Sequence, residues 1–307
     1  MTWCWYVLCV GQSAFSLTQK EWREELQASP GWLSAVGAEF SAGSGSSGFA
    51  HLTHYTVEYR EWGQGPPLVL VPGLAGGIDL LGPLARLLAS NFRVIAYQLR
   101  GEDDCFALRR HFSLADLVSD LAEFLDWHSL ESPTICGVSF GGVLALEFAA
   151  RFPYRLQNLV VQGVGARFES GLLQRVARTV LSRFPLPTDS PFINQFFNLL
   201  FGSPQKDDAL FRFVTRQSWQ TDQSVMAHRL QLAEQFDMTG RLSRIRVPTL
   251  ILAGKRDVLV SDRSLRGLCA GIADSLLVRL PGCGHLAFLT DPQRVAEEMR
   301  QFAACDR

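Results

Sequence analysis

Paired cysteines, blocks of like charge and any apolar run long enough to cross a bilayer are missing from this 307-residue sequence, and each absence removes a class of protein. The formal net charge is -1, so nothing in the sequence attracts a nucleic acid or an anionic membrane electrostatically, and neither is expected as a partner. The 7 cysteines, at positions 4, 9, 105, 136, 269, 283 and 305, form no C-x-x-C pair and no metal-ligand spacing. Their odd number and scatter speak against a disulfide framework and favour residence in the cytoplasm. No metal or cofactor site is expected. Trp3–Val10 is apolar, but it is too short to span a membrane and has no basic segment ahead of it, so no stable insertion is expected. A signal or a weak membrane association at this end stays open.

What is present is a globular composition, 47% apolar and 19% charged, in a chain long enough for one large core carrying an inserted subdomain. Thr18–Gln27 reads as a short polar helix and Ser41–Gly48 as a flexible linker, which makes residues 1–48 an extension and starts the folded part near Phe49. From there strand and helix signals alternate. Strands are expected at Tyr55–Trp62, Leu68–Val71, Phe92–Tyr97, before Gly137, at Leu159–Gln162, Thr249–Ala253 and Ser275–Leu280. Helices are expected at Ile78–Ser90, Leu114–Trp127 with Ser113 as cap, Val143–Arg151, Arg263–Ala270 and Pro292–Ala304. The fold class this implies is α/β, a mostly parallel central sheet flanked by helices.

Ser139 lies between an apolar strand and a helix, with Gly137 and Gly141 two residues to either side. In a Gly-x-Ser-x-Gly turn the glycines let the flanking backbones pass closely, and the serine hydroxyl is held up at the carboxyl end of its strand. Alone the pattern is a common one. In a parallel sheet, however, ligands bind beyond the carboxyl ends of the strands. Two further candidates fall there: Asp257, after the strand ending at Ala253, and His285, after the strand ending at Leu280.

The order Ser139, Asp257, His285, together with LVLVPG, LILAGKRDVLV and LPGCGHLAF, resembles the α/β-hydrolase family from about Tyr55 onward. The resemblance implies Ser139 as nucleophile, His285 as general base and then acid, and Asp257 as the group that orients the imidazole. It implies an oxyanion hole made of the backbone N–H groups of Leu74 and Phe140. It also implies residues 49–166 and 243–307 as the core, and 167–242 as a helical cap between them. Two departures stand out. Pro72-Gly73 replaces the His-Gly of many relatives, and Leu99–Cys105 has Glu-Asp-Asp where relatives commonly show a small residue, Gly and Ser.

Glu102, Asp103 and Asp104 read most simply as a solvated acidic loop, and His51, His54, His111, His128 and His228 as structural. Glu169, at the cap entrance, is the alternative to Asp257. In the cap, Leu172–Arg183, Phe192–Phe201, Asp208–Arg216 and Gln223–Phe236 read as helices, the first two parted by Pro185, Pro187 and Pro191. Phe192, Phe196, Phe197, Phe201, Phe211, Phe213 and Trp219 make the cap aromatic; most should pack it to the core and a minority should roof an apolar pocket over Ser139. The function expected is hydrolysis of a carboxylic ester or related acyl bond of a small to medium apolar substrate. Lactonase, thioesterase, carbon–carbon hydrolase, aminopeptidase and acyltransferase chemistry, and a slowly hydrolysing or non-catalytic ligand-binding protein, remain as alternatives. The sequence does not specify an oligomeric state.

Overall fold

Apolar runs such as Leu68–Val71 have no polar face to turn to solvent, so both sides of their sheet must be covered. A computed structural model describes residues 45–102, 111–169, 171–183, 191–202 and 208–305 and shows how this is done. The apolar run Trp3–Val10, the helix expected at Thr18–Gln27, and Asp103, Asp104, Cys105, Pro185 and Pro187 lie outside the described residues.

The strands are β1 (Ser46–His51), β2 (Thr56–Trp62), β3 (Pro67–Val71), β4 (Arg93–Tyr97), β5 (Thr134–Val138), β6 (Asn158–Gln162), β7 (Thr249–Gly254) and β8 (Ser275–Leu280). They form one 8-stranded sheet in the order β1-β2-β4-β3-β5-β6-β7-β8. β1 and β2 pair antiparallel, β2 joins β4 antiparallel, and the pairings from β4 to β8 are parallel. β1 begins within the glycine- and serine-rich stretch that reads as linker. Its backbone is organised by pairing with β2, because its own side chains offer little to bury.

The core helices are α1 (Gly77–Leu88), α2 (Leu114–Trp127), α3 (Phe140–Arg151), α8 (Asp262–Gly271), α9 (Ala287–Thr290) and α10 (Pro292–Ala304). Between β6 and β7 the chain inserts α4 (Leu172–Arg183), α5 (Pro191–Phe201), α6 (Asp208–Ser218) and α7 (Gln223–Glu234). Alternate strand residues part to the two faces. Leu68, Leu70, Val94 and Leu250 pack with α1 and α10, whereas Val69, Val71, Ile95 and Ile251 pack with α2, α3 and α8. Cys136 is fully enclosed in β5, where burial pushes its thiol pKa up to about 12, so it serves as a small apolar side chain.

Because β4 lies to one side of β3 and β5 to the other, the chain reverses its winding at β3, and a crevice opens beyond the ends of β3 and β5. That crevice positions the site. The boundary of α2 follows from local chemistry: the Asp116 N–H donates to Ser113 Oγ at 3.2 Å, and the Ser113 N–H donates to Asp116 Oδ2 at 2.7 Å, a reciprocal cap. Ser113→Ala should therefore destabilise by about 1 kcal/mol, lowering the melting temperature by roughly 2–4 °C in a chain of this size without touching the site. A thermal melt checks it, and an unshifted melt would remove the cap from the account.

Candidate active site

Ser139 follows the last residue of β5 and caps α3 with φ 51° and ψ −116°, backbone angles that a residue with a side chain rarely adopts. The flanking glycines make room for the turn. A Cβ on Gly141 would sit 2.2 Å from the Val71 carbonyl oxygen, and one on Gly137 would sit 2.2 Å from that of Gly141. The Ser139 N–H donates to the Gln162 carbonyl at 2.8 Å, tying the turn to β6. The same Gln162 donates through Nε2 to the carbonyl of His285 at 2.8 Å, so one buried residue holds both loops, the first through its backbone and the second through its side chain.

Ser139, Asp257 and His285, from three separate strand ends, meet. Ser139 Oγ lies 2.8 Å from His285 Nε2, and His285 Nδ1 lies 2.9 Å from Asp257 Oδ2. The other carboxylate oxygen, Oδ1, accepts the N–H groups of Leu259 at 2.8 Å and Val260 at 3.2 Å. Burial acts to raise the Asp257 pKa, but attraction to His285, the hydrogen bond from its ring and the two backbone donors outweigh it, and the carboxyl is held below its usual range. An ionised Asp257 accepts a hydrogen bond from Nδ1–H, which leaves Nε2 as the acceptor for the Ser139 hydroxyl. Glu169, the alternative acid, faces Arg167 at 3.6 Å instead.

Gly73 and Leu74 line the same cavity as Ser139 and Phe140, and a Cβ on Gly73 would lie 3.7 Å from Ser139 Cβ, so the turn after β3 abuts the Ser139 turn. Phe140 is the first residue of α3, where backbone N–H groups have no partner within the helix. The cavity holds about 200 Å³. Its walls are almost wholly apolar, and Phe196, Phe197, Trp219, Met226 and Phe236 of the inserted segment roof it. Phe201 is fully buried and, with Phe211 and Phe213, packs into the cluster of α1, α9 and α10. The side chain of Phe192 lies outside the described residues.

The reading of Glu102 as a solvated residue is overturned. It is buried, with a side chain only 5% exposed, and Oε1 stands 2.5 Å from Nη1 of Arg229, which is itself 0% exposed. Thr221 Oγ1 lies 3.1 Å and 3.0 Å from the two carboxylate oxygens. Arg229 escaped sequence reasoning although a signal was there, because it sits four residues from each of Val225 and Ala233 on the buried stripe of α7, where a charge must find a partner. Of the other histidines, His228 Nε2 is 2.7 Å from the Phe112 carbonyl, His51 Nδ1 is 3.0 Å from Thr56 Oγ1, and His128 packs edge-on against Tyr59. Among the described residues no group of three or more His, Cys, Asp or Glu side chains could hold a metal ion, and no helix is long and apolar enough to cross a membrane.

A family model described as alpha/beta hydrolase fold matches residues 66–292. The chain is 29% identical over 257 residues to the pimeloyl-[acyl-carrier protein] methyl ester esterase of Stenotrophomonas maltophilia, covering 79% of this chain and 94% of that protein. It is also 29% identical over 259 residues to the 2-hydroxy-6-oxononadienedioate/2-hydroxy-6-oxononatrienedioate hydrolase 2 of Pseudomonas putida, covering 75% and 85%. The crystal structure of the enol-lactonase from Burkholderia xenovorans LB400 is similar in fold, with a TM-score of 0.76 at 20% identity over 84% of this chain and 100% of that one.

The depressed Asp257 pKa carries a stability signature with a definite sign. A carboxyl whose folded pKa lies below its unfolded value near ~3.9 stabilises the fold above that pH, and the contribution is lost as pH falls through the folded pKa. Wild type should therefore melt above Asp257→Asn at neutral pH, and the gap should close on acidification below about pH 4. A gap that is constant with pH would mean that Asp257 gains nothing from its charge.

Proposed function

From the fact that the chain belongs to the α/β-hydrolase fold family, matched over residues 66–292, we propose that it is a serine hydrolase that cleaves a carboxylic ester or related acyl bond. The observation that carries the reading is the hydrogen-bonded chain from Asp257 through His285 to Ser139, opening on an apolar cavity.

In this reading Ser139 Oγ forms a bond to the carbonyl carbon, its proton passes to His285 Nε2, and the carbonyl electron pair moves onto the oxygen. That oxyanion faces the N–H groups of Leu74 and Phe140, with the dipole of α3 adding positive potential. Collapse breaks the bond to the leaving alkoxide, which takes the proton from Nε2, and leaves Ser139 acylated. Water then attacks the acyl carbon and gives its proton to Nε2, and collapse breaks the bond to Ser139 Oγ, which takes that proton as the acid leaves. Asp257 stays ionised throughout and stabilises the imidazolium at both stages.

The cavity supports an apolar substrate. Among its described lining residues the Arg and Glu side chains are Arg167 and Glu169, which stand against each other. An unpaired charge awaiting a charged substrate is not among them.

A fluorophosphonate should label Ser139, and Ser139→Ala should abolish both labelling and turnover of p-nitrophenyl esters; full turnover by that variant would end the nucleophile assignment. A wild type that is labelled but turns over no ester would be a ligand-binding protein on a hydrolase scaffold. Along acetate, butyrate, hexanoate, octanoate and laurate, kcat/KM should rise by up to roughly fourfold per methylene, from about 0.8 kcal/mol of burial each, and then break once the cavity is full. A flat series would defeat the apolar roof and leave the triad standing.

A further inference from the structure

The turn that supplies Leu74 to the proposed oxyanion hole is glycine-rich and, with Pro72 before it, lacks the histidine common at that place in relatives. What holds it comes from the inserted helices. Arg229, in the middle of α7, donates through Nη1 to the Leu74 carbonyl at 3.0 Å and to Glu102 Oε1 at 2.5 Å. Through Nη2 it donates to the carbonyls of Leu99 at 3.3 Å and Arg100 at 2.9 Å. Thr221, just before α7, accepts the Gly76 N–H at 2.9 Å while its own hydroxyl is directed at Glu102. Trp219 and Met226 pack on Leu74 and Ala75. The loop that carries Glu102 is itself anchored from outside, because Arg100 points away to Asp120, Nε to Oδ2 at 2.9 Å.

We propose that Arg229, Glu102 and Thr221 form a positioning cluster that sets the 73–76 turn for transition-state binding, so that the oxyanion hole is complete only when α7 is docked. The proposal rests on the serine-hydrolase reading above. None of the three touches substrate; they act through the peptide groups they hold. Fixing the Leu74 carbonyl and the Gly76 N–H restrains the turn at both ends of Ala75. The preceding Gly73–Leu74 peptide, which carries the N–H assigned to the oxyanion in the reading above, is thereby restrained as well. Both unusual features of the sequence, a turn without its histidine and a loop with Glu102 where a small residue is common, then have one explanation: Glu102 is what allows an arginine from the cap to be buried against this turn.

The test is a split between ground-state and transition-state binding. Thr221→Val is nearly isosteric and removes one anchor; Arg229→Lys keeps the charge but not the fork of donors. Folding is verified by circular dichroism. Displacing an oxyanion donor should lower kcat on p-nitrophenyl butyrate by about 10-fold in Thr221→Val and on the order of 10²-fold in Arg229→Lys, with KM within about threefold and binding of the product acid unchanged. A trifluoromethyl ketone adds Ser139 Oγ to its carbonyl carbon, with the proton passing to His285 and the charge to oxygen, and so imitates the oxyanion. Its affinity should fall by the same factor as kcat/KM. Folded variants with wild-type kcat, or with losses confined to KM and product binding, would overturn the proposal. Thr221→Val decides the matter if Arg229→Lys does not fold. Failure of the wild type itself to be labelled at Ser139 would instead remove the underlying hydrolase reading, and this proposal with it.

Discussion

The contact on which the site depends is the approach of α3 to the end of β3, close enough that a single methyl group on Gly141 would strike the Val71 carbonyl. That approach forces the chain leaving β5 to reverse within one residue, and Ser139 takes the strained angles that result. Strain of this kind persists only where the surroundings over-determine it. Here the Ser139 N–H is fixed on Gln162, the glycines on either side are packed against backbone, and α3 is buried along most of its length. The same approach brings the turn after β3 beside the Ser139 turn. The geometry of the candidate site and the sheet topology are thus one feature: β3 and β5 are neighbours, and β3 is where the winding reverses.

Much of this was legible because local chemistry and global fold agree. Gly137, Ser139 and Gly141 announce a close turn, Ser113 announces a helix start, and the unbroken apolar run Leu68–Val71 demands cover on both faces. Asp257 and His285 could be paired with Ser139 because each lies just beyond an apolar run, and a parallel sheet gathers such points on one rim. Their distances could not be read, since these depend on how far the loops fold back, which Gln162 helps to set through a side-chain bond to the His285 carbonyl that no pattern encodes.

What the sequence hid was decided by contacts far apart in the chain. β1 has no hydrophobic alternation of its own and exists through pairing with β2. Glu102 stands in an acidic run on a loop, and the partner that draws it inward lies 127 residues away. A charged loop residue reads as solvated unless its counter-charge is known to be buried nearby, and no local rule supplies that knowledge. The informative residue was Arg229. A cation on the buried stripe of a helix cannot remain unpaired, and a carboxylate close to it had to be found somewhere.

A buried ion pair is a poor way to fasten a helix. Desolvating two charges offsets most of their attraction, and an apolar pair of similar volume holds as well or better. The roof of this cavity is built from aromatic and aliphatic residues that would already seat α7 by burial alone. Burial, however, is not directional, whereas the guanidinium of Arg229 has two nitrogens aimed at the carbonyls of Leu74, Leu99 and Arg100 and at one carboxylate. Loss of either partner would leave the other charged, enclosed and unmatched, at about 3–5 kcal/mol, so the pair persists only where the loops and the helix arrive together. Apolar packing decides that the helices cover the cavity, and the buried charges decide the register in which the turn after β3 is held beneath them.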